Sequence, residues 1–371
     1  MPKINFRKLD LSKKYLFSRY LKSFPQLATI DQNSYFFVLS RITPAGIYKK
    51  LEPVNSTLNL NGFSLFAIPI EEWHKFISLN SFVLEYNDKS KSDLMKECGL
   101  DKEAFGIMGI VNVTPDSFSD GGLYNTRRLA VQKALELIHE GANIIDIGGE
   151  STRPGSEGVE AKEEINRVVP VIEELRAKNA KIKISIDTTK AIVAQKALEA
   201  GADMINDVSA FSFDPEMLTL CSESEVPLIA MHIKGTPKSM QKSPFYEDVV
   251  EDIFSYFENK IAQAQAAGFN KLILDPGIGF GKRVLDNFEI IDRCGEFKIL
   301  GYPLLIGLSK KSYIGKSLNL TVDKRENATV ISEMIAVQNG AEIIRTHNVK
   351  FLNEARKLIS FYNDPELLKD V

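Results

Sequence analysis

The chain has 371 residues, 44% of them hydrophobic, and a formal net charge of −3. That length accommodates a barrel of about 250 residues with about a hundred left over, and the near-neutral charge leaves no electrostatic footprint for nucleic acid. No run of about 18 apolar residues marks a membrane span, and no apolar core with a cleavage site follows Lys3, Arg7 and Lys8, so no secretory signal is expected.

Tyr35–Ile42 and Phe63–Ile70 read as strands, Glu71–Leu79 as a short helix and Ser81–Tyr86 as a third strand. Asn87–Ser92 reads as a hinge or exposed turn. Residues 1–100 are therefore expected to form a small α+β domain of unassigned role. It has no chemical motif, and Trp73 with the nearby phenylalanines reads as core. Residues 101–371 form the second expected domain.

From Gly106 onward a short apolar run ends in a polar residue, then a loop, then a helical stretch, eight times over. The ends are Asn112; Asp146 and Gly149; Asp187; Asn206 and Asp207; His232; Asp275; Ser309; and Arg345 with His347. Ile107, Ile110 and Val111, like Leu272, Ile273 and Leu274, lie in continuous apolar runs, the mark of strands buried on both faces. Between the runs, Leu129, Ala130, Ala134, Leu137 and Ile138 keep helical spacing, as do Val249, Ile253, Phe257 and Ile261. Gly141, Gly201 and Gly268 suit the left-handed residue that closes a helix. A doubly wound sheet shares this alternation. Eight units, each ending in chemistry, favour a (β/α)8 TIM barrel with its site at the C-terminal ends of the strands, because an open sheet gathers ligand contacts at one switch point.

The loop from Asn112 to Gly122 holds an amide, acids and hydroxyls and ends in two glycines, which suits a mobile lid or a plain turn. The loop from Gly148 to Gly155 lets a ligand approach the backbone and offers Arg153 for an anion; a surface arginine is the bland alternative. Asp187, Asn206 and Asp275 each end an apolar strand. Each suits a helix cap, but together they suit the hydrogen-bonding edge of a polar heterocycle. Asp275 to Lys282 is rich in glycine without being a dinucleotide fingerprint and reads as a flexible loop presenting Phe280 and Lys282. Gly307 to Ser312, with Arg345 and His347, falls where barrels usually bind phosphate, with a helix start near Ser312. Cys98, Cys221 and Cys294 share no metal-like spacing and suit a reducing, cytoplasmic compartment. The four histidines form no zinc-type set.

From Phe105 to Tyr362 the chain resembles the dihydropteroate synthases. The resemblance is carried by NVTPDSFSDGG at 112–122, DIGGESTRPG at 146–155, SIDT at 185–188, IND at 205–207, MHIKGTP at 231–237, LDPGIGFGK at 274–282, GLSKKS at 307–312 and RTH at 345–347. It implies a reaction joining 6-hydroxymethyl-7,8-dihydropterin pyrophosphate to p-aminobenzoate, with release of pyrophosphate by an SN1-like displacement. It implies a pterin pocket of Asp187, Asn206, Asp275 and Lys311, floored by Met231 and Gly307. Asn112 would be the ligand of Mg2+ and pyrophosphate, Arg345 and His347 the pyrophosphate pocket, and Ser312 the contact to the aminobenzoate carboxylate. Thr152 and Arg153 would lie in a second mobile loop, and Phe118, Pro154 and Phe280 would wall the aminobenzoate site. Asp275, Lys311, Asp187, Arg345 and His347 are the expected catalytic set. A homodimer without nucleic-acid or membrane partners is implied, and a sulfonamide target.

Lys310 stands where the family usually has arginine, and Asn348 where it usually has aspartate. A folate-dependent corrinoid methyltransferase would share the pterin carboxylates but has no use for a pyrophosphate pocket. A catalytically degenerate paralogue is the non-enzyme alternative.

Overall fold

The computed structural model describes residues 6–9, 35–40, 64–69, 90–100, 104–114, 122–152, 155, 156, 158–364 and 366. The expected elements at Glu71–Leu79 and Ser81–Tyr86, together with Trp73, Phe118, Arg153 and Pro154, lie outside these residues.

The chain divides into two compact units. The first contains an antiparallel sheet of β1 (Phe6–Leu9), β2 (Tyr35–Ser40) and β3 (Ser64–Pro69), with β2 in the middle. β2 and β3 lie where the apolar runs place them. β1 has no such run, since Arg7 and Lys8 occupy half of it.

The second unit begins at Ser92 and is a barrel of eight parallel strands. They are β4 (Gly106–Asn112), β5 (Ile144–Gly148), β6 (Lys183–Asp187), β7 (Met204–Asp207), β8 (Leu228–Met231), β9 (Leu272–Asp275), β10 (Leu305–Gly307) and β11 (Ile343–Thr346). Neighbours pair in the order β10-β11-β4-β5-β6-β7-β8-β9. A parallel bridge from Leu274 to Leu304 brings the two ends together, which decides for the barrel over the open sheet. The helices around it are α1 (Gly122–Glu140), α2 (Ala161–Lys178), α3 (Ala191–Glu199), α4 (Glu216–Ser224), α5 (Val249–Ala266), α6 (Val284–Arg293), α7 (Ser312–Leu318), α8 (Glu326–Gln338) and α9 (Val349–Asn363).

Residues 90–97 are helical, so Ser90 to Ser92 start a helix rather than a hinge. That helix and the turn after it put Leu94, Cys98 and Leu100 into one buried cluster with Met108, Ile144, Met204, Ile229, Ile273, Leu305 and Ile343. Most of these lie at or next to the start of a strand, so the cluster closes the N-terminal end of the barrel. Apolar burial of this kind stabilises by roughly 25 cal/mol per Å² removed from water.

One buried acid is out of keeping with this core. Glu333 on α8 is fully buried, and its carboxyl faces the Thr346 hydroxyl with no charged partner acting on it. Burial raises its pKa from 4.5 to about 8, with Thr346 pulling the other way. The folded state therefore holds the proton more tightly than the unfolded chain. Stability falls as pH rises from the unfolded value to the folded one, by up to about 1.4 kcal/mol per pH unit. Glu333→Gln should flatten this fall and be the more stable protein at about pH 8, as read by urea unfolding between about pH 5 and pH 8. Equal slopes in both proteins would show that Glu333 is ionised throughout.

Candidate active site

Parallel register brings the polar strand ends to one rim. Asn112 pairs with Gly148, Gly148 with Asp187, and Asp187 with Asn206. Farther round, Met231 is opposite Asp275 and Gly307 opposite Arg345. Asp187, Asn206, Asp275 and Met231 are buried side chains at the ends of their strands.

The deepest group is a cluster around Arg345. Its Nε donates to Asp146 Oδ2 at 2.5 Å, and its Nη2 donates to Asp187 Oδ2 at 2.6 Å. Asn206 Nδ2 donates to the same Asp146 oxygen at 3.1 Å. Asp146 Oδ1 has no hydrogen-bond partner among the described residues. Asp146 ends an apolar run in the sequence but was not expected in the site. It lies on the same face of β5 as Gly148 and is fully buried. Burial, then the neighbouring Asp146 against the pull of Arg345, leaves Asp187 raised to about 7. Burial alone would lower Arg345, but Asp146 and Asp187 outweigh it and hold the guanidinium charged. Two carboxylates thus share one cation, and the second resists ionisation.

The helix-cap alternative for Asp187 is met by another residue. Asp214 accepts the Ala191 N–H at the start of α3 at 2.7 Å, so Asp187 is left to face Arg345.

A second group lies on the β9 and β10 side. Asp275 Oδ1 accepts the Gly277 N–H at 2.7 Å. Gly277 has φ +69°, and a Cβ there would run into the His232 carbonyl oxygen, so only glycine allows this turn. Lys311 Nζ stands 4.2 Å from the centre of the half-buried Phe280 ring. Burial lowers Lys311 to about 8 against the pull of Asp275. Burial also raises Asp275, while the Gly277 N–H and then Lys311 and Arg345 lower it.

Lys282 does not reach this pocket. It turns inward, with Nζ 2.9 Å from His232 Nδ1, 3.3 Å from the His232 carbonyl and 3.1 Å from the Phe280 carbonyl. Burial lowers the pKa of both Lys282 and His232 well below their ordinary values. Lys282 therefore fastens the loop that carries Phe280 instead of being presented by it.

The third group faces β4. Asn112 Nδ2 is 3.5 Å from His347 Nε2, and His347 Nδ1 is 2.9 Å from Ser309 Oγ. Ser309 also accepts the His347 N–H at 3.2 Å. This hydroxyl orients the ring, a role that the sequence, which marks Ser309 only as a strand end, does not assign. Asn348 is not needed for that: its Nδ2 is buried without a partner among the described residues, and it makes no side-chain cap to α9. Ser312 is exposed at the start of α7. Thr152 is half-buried in the second loop. The base of that loop is held by Lys190, which pairs with Glu150 and, at 2.7 Å, with Glu164, and by Arg167 Nη1 on the Gly149 carbonyl at 2.8 Å.

Comparison with known proteins gives the family. The sequence profile of the family described as pterin binding enzyme matches residues 108–347. The dihydropteroate synthase of Escherichia coli K12 is 44% identical over 255 residues, covering 68% of this chain and 90% of that protein. The structure of the Xanthomonas albilineans dihydropteroate synthase with 4-aminobenzoic acid superposes with a TM-score of 0.66 at 40% identity, covering 70% of this chain and 93% of that one. The same enzyme in complex with 7,8-dihydropteroate gives 0.63 at 38% identity, covering 70% and 94%. A carboxylate pair around a guanidinium, a lysine stacked on an aromatic ring and an amide–histidine pair on one barrel rim, with these relatives, place the chain in the dihydropteroate synthase family.

Proposed function

We propose that this rim condenses 6-hydroxymethyl-7,8-dihydropterin pyrophosphate with p-aminobenzoate to give 7,8-dihydropteroate and pyrophosphate. The observation that carries the reading is the buried Asp146–Arg345–Asp187 cluster, set on the same rim as Asp275 and Lys311. Asp187, Asn206, Asp275 and Lys311 form the pterin pocket, with Met231 and Gly307 as its floor. The bond between the exocyclic methylene and the pyrophosphate oxygen breaks, and its electron pair leaves with pyrophosphate. Asp275 and Asp187 stabilise the positive charge left on the pterin methylene. The neutral aniline nitrogen then forms the new C–N bond and releases its proton to solvent, so no strong general base is required. Phe280 walls the aminobenzoate, and Ser312 at the exposed start of α7 meets its carboxylate.

Arg345 and His347 face the leaving pyrophosphate, and Mg2+ neutralises it when bound. Among the described residues no group of three or more His, Cys, Asp or Glu could hold a metal ion. Asn112 offers one neutral oxygen. That fits Mg2+, which keeps waters and is taken up with substrate phosphates.

A folate-dependent methyl transfer would leave Asn112, His347 and Ser309 without a task. A degenerate binding protein would leave the whole constellation idle. Pyrophosphate release in a coupled assay tests the reading, and a purified, folded protein that releases none with both substrates overturns it. Binding is expected to be ordered, because the anion gathers Asn112 and the loop at Thr152 before the aminobenzoate walls can form. Calorimetry should show p-aminobenzoate binding only with pyrophosphate and Mg2+ present. Equal affinity without them contradicts the order. A sulfonamide that mimics aminobenzoate should follow the same order.

No helix among the described residues is long and apolar enough to cross a membrane. Leu318, Val322, Ile331, Ile335 and Leu358 are exposed apolar residues from α7 to α9, which supports a homodimer through this side. Sedimentation as a monomer at micromolar concentration would exclude it. The unit that precedes Ser92 supplies no catalytic side chain in this reading, since every group used above lies between Asn112 and His347.

A further inference from the structure

The loop that presents Lys311 has an unusual backbone. Lys310 has φ +57°, a conformation that costs an L-residue roughly 1–2 kcal/mol, so something must hold it there. Arg325, which follows the short turn Val322–Lys324, reaches back to do so. Its Nη1 donates to the Lys310 carbonyl at 2.9 Å and more distantly to the Lys311 carbonyl at 3.5 Å. Its Nε and Nη2 both donate to the Leu320 carbonyl at 3.2 Å. These bonds all go to main-chain oxygens, so the planar fork ties the two ends of α7 together.

The seat of this fork is Gly315, in the middle of α7. A Cβ at Gly315 would collide with Nε, Nη2 and Cζ of Arg325. A glycine inside a helix is unfavourable relative to alanine by roughly 1 kcal/mol, and here it makes room for the guanidinium. Gly315 and Arg325 thus form one device, a slot and a bolt, behind the loop that carries Lys310, Lys311 and Ser312. On the other side of that loop the Lys311 stem lies 3.2 Å from where a Cβ of Gly279 would be, and its ammonium lies over Phe280.

We propose that Arg325, seated on Gly315, is a positioning residue for the reaction: it fixes the Lys310–Lys311 backbone so that the Lys311 ammonium and Ser312 stand at the substrates. The proposal rests on the reading of Lys311 and Ser312 as substrate contacts. A lysine at 325 keeps the charge but cannot serve the Lys310 and Leu320 carbonyls from one plane.

The test uses the full chain with 6-hydroxymethyl-7,8-dihydropterin pyrophosphate and p-aminobenzoate. Arg325→Ala should raise the KM for both substrates on the order of 10- to 100-fold, as expected of a small displacement of a binding group. Free guanidinium ion added at non-denaturing concentration should recover much of that loss, while methylammonium should not. Gly315→Ala should reproduce the defect without rescue, because its slot is filled. If Arg325→Ala does not fold, Arg325→Lys takes its place with the same rise in KM but without rescue, because the lysine stem occupies the slot. Wild-type constants in the folded Lys variant, or a loss in folded Arg325→Ala that guanidinium leaves unchanged, overturn the proposal. Lys311→Met separates this from the underlying reading. If Lys311→Met binds both substrates normally, Lys311 is no contact and the pocket assignment fails. If Lys311→Met loses binding while Arg325→Ala keeps it, the assignment stands and the bolt fails.

Discussion

Asp275→Asn is expected to leave a folded barrel that no longer turns over. The asparagine keeps the shape of the side chain at the end of β9 and an oxygen for the Gly277 N–H that Asp275 Oδ1 now accepts at 2.7 Å, so the turn survives. What disappears is the negative charge that the proposed mechanism sets against the pterin. The loss has two parts. In the ground state a hydrogen bond to a charged acceptor weakens, which costs about 1.5–3 kcal/mol. In the transition state an electrostatic contact to the cation is gone, and removing one preorganised group of this kind typically costs about 100- to 1,000-fold in kcat. The variant also relieves an acid whose pKa burial raises, so its thermal stability should equal or exceed that of the parent. Circular dichroism checks the fold and pyrophosphate release checks turnover. Near-parental turnover in a folded variant would remove Asp275 from the mechanism.

Arg345→Met should harm both stability and catalysis. It deletes the one cation between Asp146 and Asp187, which are buried at 2.5 and 2.6 Å from it. Removing one partner of a buried pair costs roughly 3–5 kcal/mol. The lower part of that range applies, because the Arg345 side chain is 21% exposed. Asp187, already raised by burial, would lose the pull of Arg345 and hold its proton more tightly still than in the unfolded chain. The destabilisation should therefore grow as pH rises above the ordinary aspartate range, and urea unfolding at two pH values reads it directly. Arg345→Lys keeps the charge but loses the fork to two acids, and should fall between the parent and Met. A Met variant as stable as the parent at neutral pH would mean that the two acids do not need the guanidinium.

The barrel was legible because its strands are buried on both faces and so write continuous apolar runs, and because each run stops at a residue with chemistry. Asp187, Asn206 and Asp275 could be read as a set for that reason. Asp146 could not, although it is the residue that Arg345 and Asn206 share. Its part in the cluster depends on Arg345 and Asn206 reaching it from other strands, which no local pattern carries. Ser309 could be read as a strand end but not as the partner of His347, because a hydroxyl beside two lysines has many ordinary uses and only the fold brings the two together. Lys282 was misread because a long flexible stem can point either way, and the buried His232 and Phe280 carbonyl decide the direction. Arg325 lies beyond the motif it supports. Its only local trace is a glycine inside a helix.

The plug formed by Leu94, Cys98 and Leu100 under the strands makes the barrel a cul-de-sac. A vessel with one door imposes a queue: whatever rests on its floor must arrive before, and depart after or together with, whatever rests above. On the proposed assignment, with the pterin against the buried Asp187 and the aminobenzoate at the exposed Ser312, the shape of that door works in the same direction as the loops.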